Sequence, residues 1–301
     1  NEAGLNGGAI DWYRGAFNGT ITNSIFENNI ANRSGGAIHW SGYYGTVSNS
    51  NFTGNKATGE VISDIGGVLG GGDGGAVIWV GSHGIIKDNC NFINNFAKYR
   101  GGAVFLHGND TENCTNTTVT NCNFEDNVAG LNGGAIDWQH GTTYGNLTYS
   151  NFTNNTAWRS GGAVYWNGLY GDILYCIFDD NHAIGNVTAH DRPDVAVYSN
   201  EGGHGGAVIW TGSHGEVYYS NFVNNTAKNN GGAAYLQSGT YGECQNTTFD
   251  NCYFGENEAG LNGGAVDWFR GASLGKVLNS VFENNIANRS GGAIHWSGYY
   301  G

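Results

Sequence analysis

The chain has 301 residues, with 25 Asp and Glu against 12 Lys and Arg, giving a formal charge of −13; that balance excludes nucleic acid and anionic membrane surfaces as natural partners. Gly is abundant at 53 residues but not periodic at every third position, and Pro occurs once, at Pro193, so a collagen-like fibre is excluded. Nine Trp provide the apolar surface a disordered chain lacks, and no 18-residue apolar run is present to cross a membrane as a helix.

The first element met along the chain is Gly-Gly-Ala at Gly7, and it returns at Gly35, Gly74, Gly101, Gly133, Gly161, Gly205, Gly231, Gly263 and Gly291. Between the returns stands a Phe-x-x-Asn-x-Ala block, at Phe26, Phe52, Phe92, Phe124, Phe152, Phe178, Phe222, Phe254 and Phe282. A motif recurring every 26 to 44 residues marks a stacked repeat architecture and moves the functional expectation from one pocket to a long surface.

Within one repeat the periodicity is two, not 3.6. In Gly-Gly-Ala-Ile-Asp-Trp, Ile10 and Trp12 share a face, while Ala9 and Asp11 share the other. The Ile/Val column and the column Trp12, Trp40, Trp79, Trp138, Trp166, Trp210, Trp268 and Trp296, with Leu106 and Leu236 in two copies, are expected to point inward. The residue between them, Asp11, His39, Asp137, Tyr165, Asp267 or His295, is expected to point outward. A second run ends at Phe, with a small residue two positions before it: Ser24, Ser50, Cys90, Cys122, Ser150, Cys176, Ser220, Cys252 or Ser280. Each repeat thus supplies two or three short strands joined by Gly/Asn turns. The fold expected is all-β, a right-handed parallel β-helix with one block per coil. The block Asn, at Asn29, Asn55, Asn95, Asn127, Asn155, Asn181, Asn225, Asn257 and Asn285, reads either as an axial amide ladder or as a turn residue tolerating left-handed φ.

A longer period overlies the short one. Asn-x-Ala-Gly-Leu-Asn-Gly-Gly-Ala occurs at residues 1, 127 and 257, which groups the coils in fours. The third coil of each group carries an insertion, 58–73 and 184–204, and the fourth a Cys-containing excursion, 108–118 and 239–248. Residues 1–45 and 257–301 match at 37 of 45 positions. The whole of 1–301 is therefore expected to be one continuous β-helix segment, a window on a longer array.

Six cysteines are present. Cys114 with Cys122 recurs as Cys244 with Cys252 at the same spacing, which favours two local disulfides. The competing pair, Cys90 with Cys122, would have Ser220–Cys252 as its counterpart, which cannot form. Asn-x-Ser/Thr sequons begin at Asn18, Asn32, Asn51, Asn109, Asn113, Asn116, Asn146, Asn151, Asn154, Asn186, Asn224, Asn246 and Asn288. These thirteen exceed the about five expected by chance and make them candidate glycosylation sites.

Catalysis on a β-helix needs clustered outward carboxylates. The Asp11/His39 and Asp267/His295 pairs are the best candidates, but their repetition along the rod fits stacking or multivalent binding better than a single active site. The longer insertion holds Asp191, Arg192, Asp194, Glu201 and His204, the candidate ligand residues for a sugar or Ca²⁺; the shorter holds Glu60, Asp64 and Asp73. The pairs Tyr43-Tyr44 and Tyr299-Tyr300 are candidate stacking platforms for sugars or for a neighbouring rod.

The recurring Gly-Gly-Ala-[Ile/Val] with Phe-x-x-Asn resembles the polymorphic outer-membrane protein repeats of chlamydial autotransporter adhesins. The Asn/Thr-rich form, Asn151-Phe-Thr-Asn-Asn-Thr-Ala157 before Gly161-Gly-Ala-Val-Tyr-Trp166, is also similar to adhesin-like surface proteins of methanogenic archaea. The resemblance covers the whole chain and implies a secreted or surface-displayed structural or adhesive β-helix. Its motif residues are structural, so no catalytic, cofactor or metal residue carries over. The expected partners are other copies of the chain, end to end or side by side, or cell-surface glycans and proteins. The alternative is a polysaccharide lyase or glycoside hydrolase using the 184–204 insertion.

Overall fold

The computed structural model describes residues 1–13, 15, 17–59, 71–108, 114–139, 141–185, 202–238 and 244–301. Among them every regular element is a short strand, and all strand pairs are parallel. Each coil contributes to four sheets that run the length of the rod. Sheet I contains the Ile38–Trp40 row, ten strands; sheet II the Thr46–Ser48 row, nine; sheet III the Asn51–Thr53 row, nine; and sheet IV the Lys56–Ala57 row, ten. A parallel β-helix was the expected fold. The number of strands per coil differs from the two or three anticipated, because the small-residue column divides the run before Phe into two strands at a corner.

The Gly-Gly-Ala motif has a steric cause at each position. The first Gly of all ten copies has φ between 60° and 68°, the left-handed region that a side chain disfavours. At the second Gly an added Cβ would collide with the carbonyl oxygen of the equivalent Gly one coil on, as Gly134 would with Gly162. The Ala methyl, as at Ala135 and Ala163, is fully buried in the core. The motif is therefore the corner between sheets IV and I, held by axial bonds such as Gly134 N–H to Gly161 O at 3.0 Å.

In-register stacking places like on like. Phe26 to Phe282 form one unbroken pile, with neighbouring ring centroids 4.6–4.9 Å apart. The Trp pile is interrupted where Leu106 and Leu236 substitute, so stacks occur at Trp12–Trp40–Trp79, Trp138–Trp166–Trp210 and Trp268–Trp296. Both piles fill the core, each buried aromatic contributing about 1.5–3 kcal/mol of transfer free energy.

The axial amide ladder is present. Asn55 donates its backbone N–H (3.0 Å) and its Nδ2 (2.9 Å) to Asn95 Oδ1, and Asn95 Nδ2 also donates to Phe52 O at 2.9 Å. The same pattern runs through the block asparagines and starts one coil earlier than expected, at Asn1. The left-handed conformation belongs instead to the residue before each Asn, such as Asn28, Asn94 and Asn154. The Ser/Cys column forms a second ladder. Ser150 Oγ accepts the N–H of Cys122 (3.2 Å) and donates to Thr148 O (2.8 Å), and Ser220 Oγ does the same for Cys176 and Tyr218.

The expectation of an outward Asp/His column is corrected. Asp137 and Asp267 are fully buried and His39 nearly so; Asp11 is exposed on the first coil. Arg100 and His204, each immediately before a Gly-Gly, pack over the outer side of sheet I. The Arg100 guanidinium lies 4.6 Å from the Phe105 ring, and His204 stacks on Tyr235 at 4.4 Å. A thin second layer of packing results, in which Ile78, Val80 and Phe105 form a separate cluster.

Candidate functional site

Sheet I's covered column holds the only Asp–His contacts in register among the described residues. His39 Nδ1 lies 2.7 Å from Asp11 Oδ1, and His295 Nδ1 lies 2.9 Å from Asp267 Oδ1. Burial pushes the Asp267 carboxyl up to about 6, with His295 opposing the rise. At the third Asp the His is replaced by Tyr165, its strand partner, and both Asp137 oxygens lack a hydrogen-bond partner. Burial holds Asp137 well above the usual carboxylate range, against the positive field of Arg100. Arg100 itself is committed to Asp73, by Nε to Oδ1 at 2.9 Å and Nη2 to Oδ2 at 2.7 Å. Asp267 links two coils through His295, while Asp137 is buried without such a contact, and neither is open to solvent.

Of the candidate ligand residues, Asp191, Arg192, Asp194 and Glu201 lie outside the described residues, as do Glu60 and Asp64. His204 is buried, with Nδ1 3.2 Å from Asn230 Nδ2, and Asp73 is the buried partner of Arg100. Beside the longer insertion, Ala183, Ile184, Thr226, Lys228 and Glu258 line an open recess of about 370 Å³. Among the described residues no three His, Cys, Asp or Glu side chains come together as a metal site.

The local disulfides are corrected: all six cysteines are free and buried. Cys114 and Cys122 lie on different strands with Thr118–Thr120 between them. Cys114 pairs across to Thr142, while Cys122 is in register with Cys90. Cys244 instead sits beside Thr247 Oγ1, and Cys252 donates to Val217 O. The thiols of the Ser/Cys column occupy the positions of the serine hydroxyls, which accounts for the small residue there. Burial raises the Cys114 and Cys252 thiols to about 11 and those of Cys176 and Cys244 to about 12.

Sequons at Asn109, Asn113 and Asn186 lie outside the described residues. Asn18, Asn32, Asn51, Asn116, Asn151, Asn154, Asn224 and Asn288 are exposed, and Asn146 and Asn246 are half-exposed. None belongs to the buried amide ladder.

The surface that sequence reading missed spans sheets II and III in the middle coils. Tyr149, Tyr175 and Tyr219 stack at 5.0 Å, and Tyr144, Tyr170 and His214 stack at 5.1 and 4.7 Å. All six have φ between 49° and 60°. Bulky residues rarely adopt that region; the equivalent positions in other coils are mostly Asn or Asp, which tolerate it. Between the two piles lie Asp172 and Glu216, strand partners one coil apart. Burial, then the charge of Glu216, pushes Asp172 up to about 6. The signal was legible as Tyr-Gly-x-x-x-Tyr at Tyr144 and Tyr170. The two Tyr pairs singled out from sequence are arranged differently: Tyr43 stacks on Phe17 and Tyr44 on His83, each across one coil boundary.

The comparisons with known proteins bear on this architecture. Residues 23–39 and 279–295 match the Chlamydia polymorphic membrane protein repeat. No curated protein sequence matches. Among solved structures, the chain is similar to a mannuronic acid specific polysaccharide family 6 lyase from human gut microbiota, at 11% identity and TM-score 0.38 over 92% of this chain and 78% of that one. It is similar to the GH136 lacto-N-biosidase from Eubacterium ramulus at 9% identity and TM-score 0.43, over 90% of this chain and 51% of that one. It is also similar to the Streptococcus pneumoniae surface protein and adhesin PfbA at 11% identity and TM-score 0.35, over 98% and 92%. At such identities and scores these structures carry no argument about activity. What the chain shares by sequence is the chlamydial membrane protein repeat, twice, in equivalent coils.

Proposed function

We propose that this chain is a non-enzymatic, surface-displayed repeat segment whose rigid rod presents repeated faces for multivalent adhesion or self-association outside the cell. The observation that carries the reading is the unbroken set of in-register ladders, from Asn1 to Asn285 and Phe26 to Phe282, in a chain with two matches to a membrane protein repeat. Side chains that repeat at one coil spacing give many equivalent weak contacts, and avidity multiplies them. The exposed sequons fit a glycosylated coat on the same rod, and the methanogen adhesin-like proteins are the second resemblance in keeping with it.

The test is adhesion of beads coated with the full chain at graded density to live cell surfaces. Adhesion should rise steeply with density and be competed by soluble chain only at high concentration. Turnover of a glycan panel by the soluble chain, with no density-dependent adhesion, would replace this reading with the carbohydrate-active alternative.

A further inference from the structure

We propose that the outer face of sheets II and III over the middle coils docks a cationic polypeptide segment, rich in Lys and Arg, with its contact centred on Tyr218. This rests on the adhesive reading and names the chemistry of one partner.

Charge is the first argument. Across the five segments 118–126, 146–154, 172–180, 216–224 and 248–256, which form these two sheets in consecutive coils, there are eight Asp and Glu and no Lys or Arg. Asp172 and Glu216 are in-register strand partners, an arrangement of like charges that costs the isolated chain stability. Asp250 follows on the next coil, beside Glu216's strand, as the strand partner of Tyr218. Tyr218 stands two residues after Glu216 on the same strand with Asp250 as its strand partner, and burial followed by the fields of Glu216, Asp250 and Asp172 raises its phenol. A cation docked there relieves the repulsion between Asp172 and Glu216.

Geometry selects the kind of cation. No three acidic, His or Cys side chains among the described residues meet closely enough for a metal ion. The carboxylates are spread over coils roughly 4.8 Å apart, a span suited to guanidinium and ammonium groups on a chain. The flanking Tyr175 and Tyr219 are 46% and 51% exposed, and they offer apolar surface to the aliphatic stems of Lys and Arg. Their rings stack with interplanar angles of 4° and 5° along the pile, so both faces of Tyr175 are occupied, by Tyr149 and Tyr219. Stacking of a sugar ring needs a free face, which Tyr175 lacks; contact with a Lys or Arg stem at the ring edge does not. Asp126, Asp179 and Asp250 accept side-chain amide hydrogen bonds and Asp180 pairs with His182, but no Lys or Arg of these five segments offsets the charge, so anionic partners are repelled.

The experiment measures binding of a fluorescent Lys/Arg-rich peptide to the full chain by anisotropy, at low and at physiological salt. The face variant is Asp172→Asn with Glu216→Gln; the control, Glu2→Gln with Glu258→Gln, makes the same charge change on exposed positions of sheet IV. Binding to the parent chain should weaken with salt. The face variant should lose roughly tenfold in affinity, while the control stays within about twofold. Tyr219→Asn places a residue used at this corner in other coils, so it should fold normally and also weaken binding. Equal losses in the face and control variants would overturn the proposal, as would a neutral oligosaccharide binding this face in place of the peptide. Beads bearing the face variant separate the two readings. If they still adhere to cells while the peptide no longer binds, this site is not the adhesive one and the adhesive reading stands. If the parent binds peptide but its beads never adhere, the adhesive reading fails and the site stands.

Discussion

Asp137 sits in register with Tyr165 at the one place where the Asp of this column has no His on the following coil. Asp11 has His39 and Asp267 has His295, at 2.7 and 2.9 Å. Deprived of that partner and fully buried, Asp137 keeps its proton far above the ordinary range.

The pH dependence follows from the sign of that shift. An unfolded Asp releases its proton near pH 3.9, while folded Asp137 holds on. Between those two values the folded state binds more protons, so stability falls as pH rises. Asp267 adds a loss of the same sign, which runs from the unfolded value up through its folded value of about 6. Asp137→Asn should leave stability unchanged at low pH, raise it at neutral pH and flatten the profile. Urea midpoints measured across pH check this; a neutral-pH loss in Asp137→Asn would contradict it.

Removing one rung of the amide ladder should be costly. Asn155 Oδ1 accepts two bonds from Asn127, and its Nδ2 donates to Phe124 O and Asn181 Oδ1. Asn155→Ala leaves these buried partners unsatisfied, at about 1–3 kcal/mol for each unmet group. Asn285→Ala, on a half-buried end coil, should cost less. Denaturant unfolding of the two variants gives the comparison.

Gly134→Ala tests the steric account of the repeat motif. Its methyl would meet the Gly162 carbonyl oxygen, and backbone cannot yield without opening the coil spacing. The expected loss is about 3 kcal/mol or more, visible as a lowered melting temperature or as insoluble protein. A wild-type melt would show that the second Gly is there for another reason.

The cysteines should behave as serine equivalents. Cys122→Ser places a hydroxyl where Ser150 and Ser220 already accept an N–H and donate to a carbonyl, so its effect should stay within about 1 kcal/mol. Thiol titration of the unreduced, denatured chain should find all six sulfhydryls. Four missing thiols would restore the local disulfides.

The sequence alone determined the β-helix, the one-block coil, and the inward Trp and Phe columns, because each recurs at a fixed offset and stacking turns recurrence into contact; between ladder and turn for the Asn column, the structure decided. That Gly-Gly-Ala is a corner, with a positive φ at its first Gly and a neighbouring carbonyl against its second, came from the structure. What the tertiary structure decided concerns which side of a strand is covered. Alternation placed Asp137 on the face opposite Ile136 and Trp138, yet Asp137 is fully buried, beside Phe105, whose ring the Arg100 guanidinium covers. Period-two patterning reports two faces and is silent on whether a later loop roofs the outer one. The cysteine pairing failed for a related reason: sequence spacing between Cys114 and Cys122 is short, but a strand and a corner separate them, while Cys90, 32 residues before Cys122, lies directly alongside. In a solenoid the near neighbour is one coil away, and only the register of the coils says which residue that is.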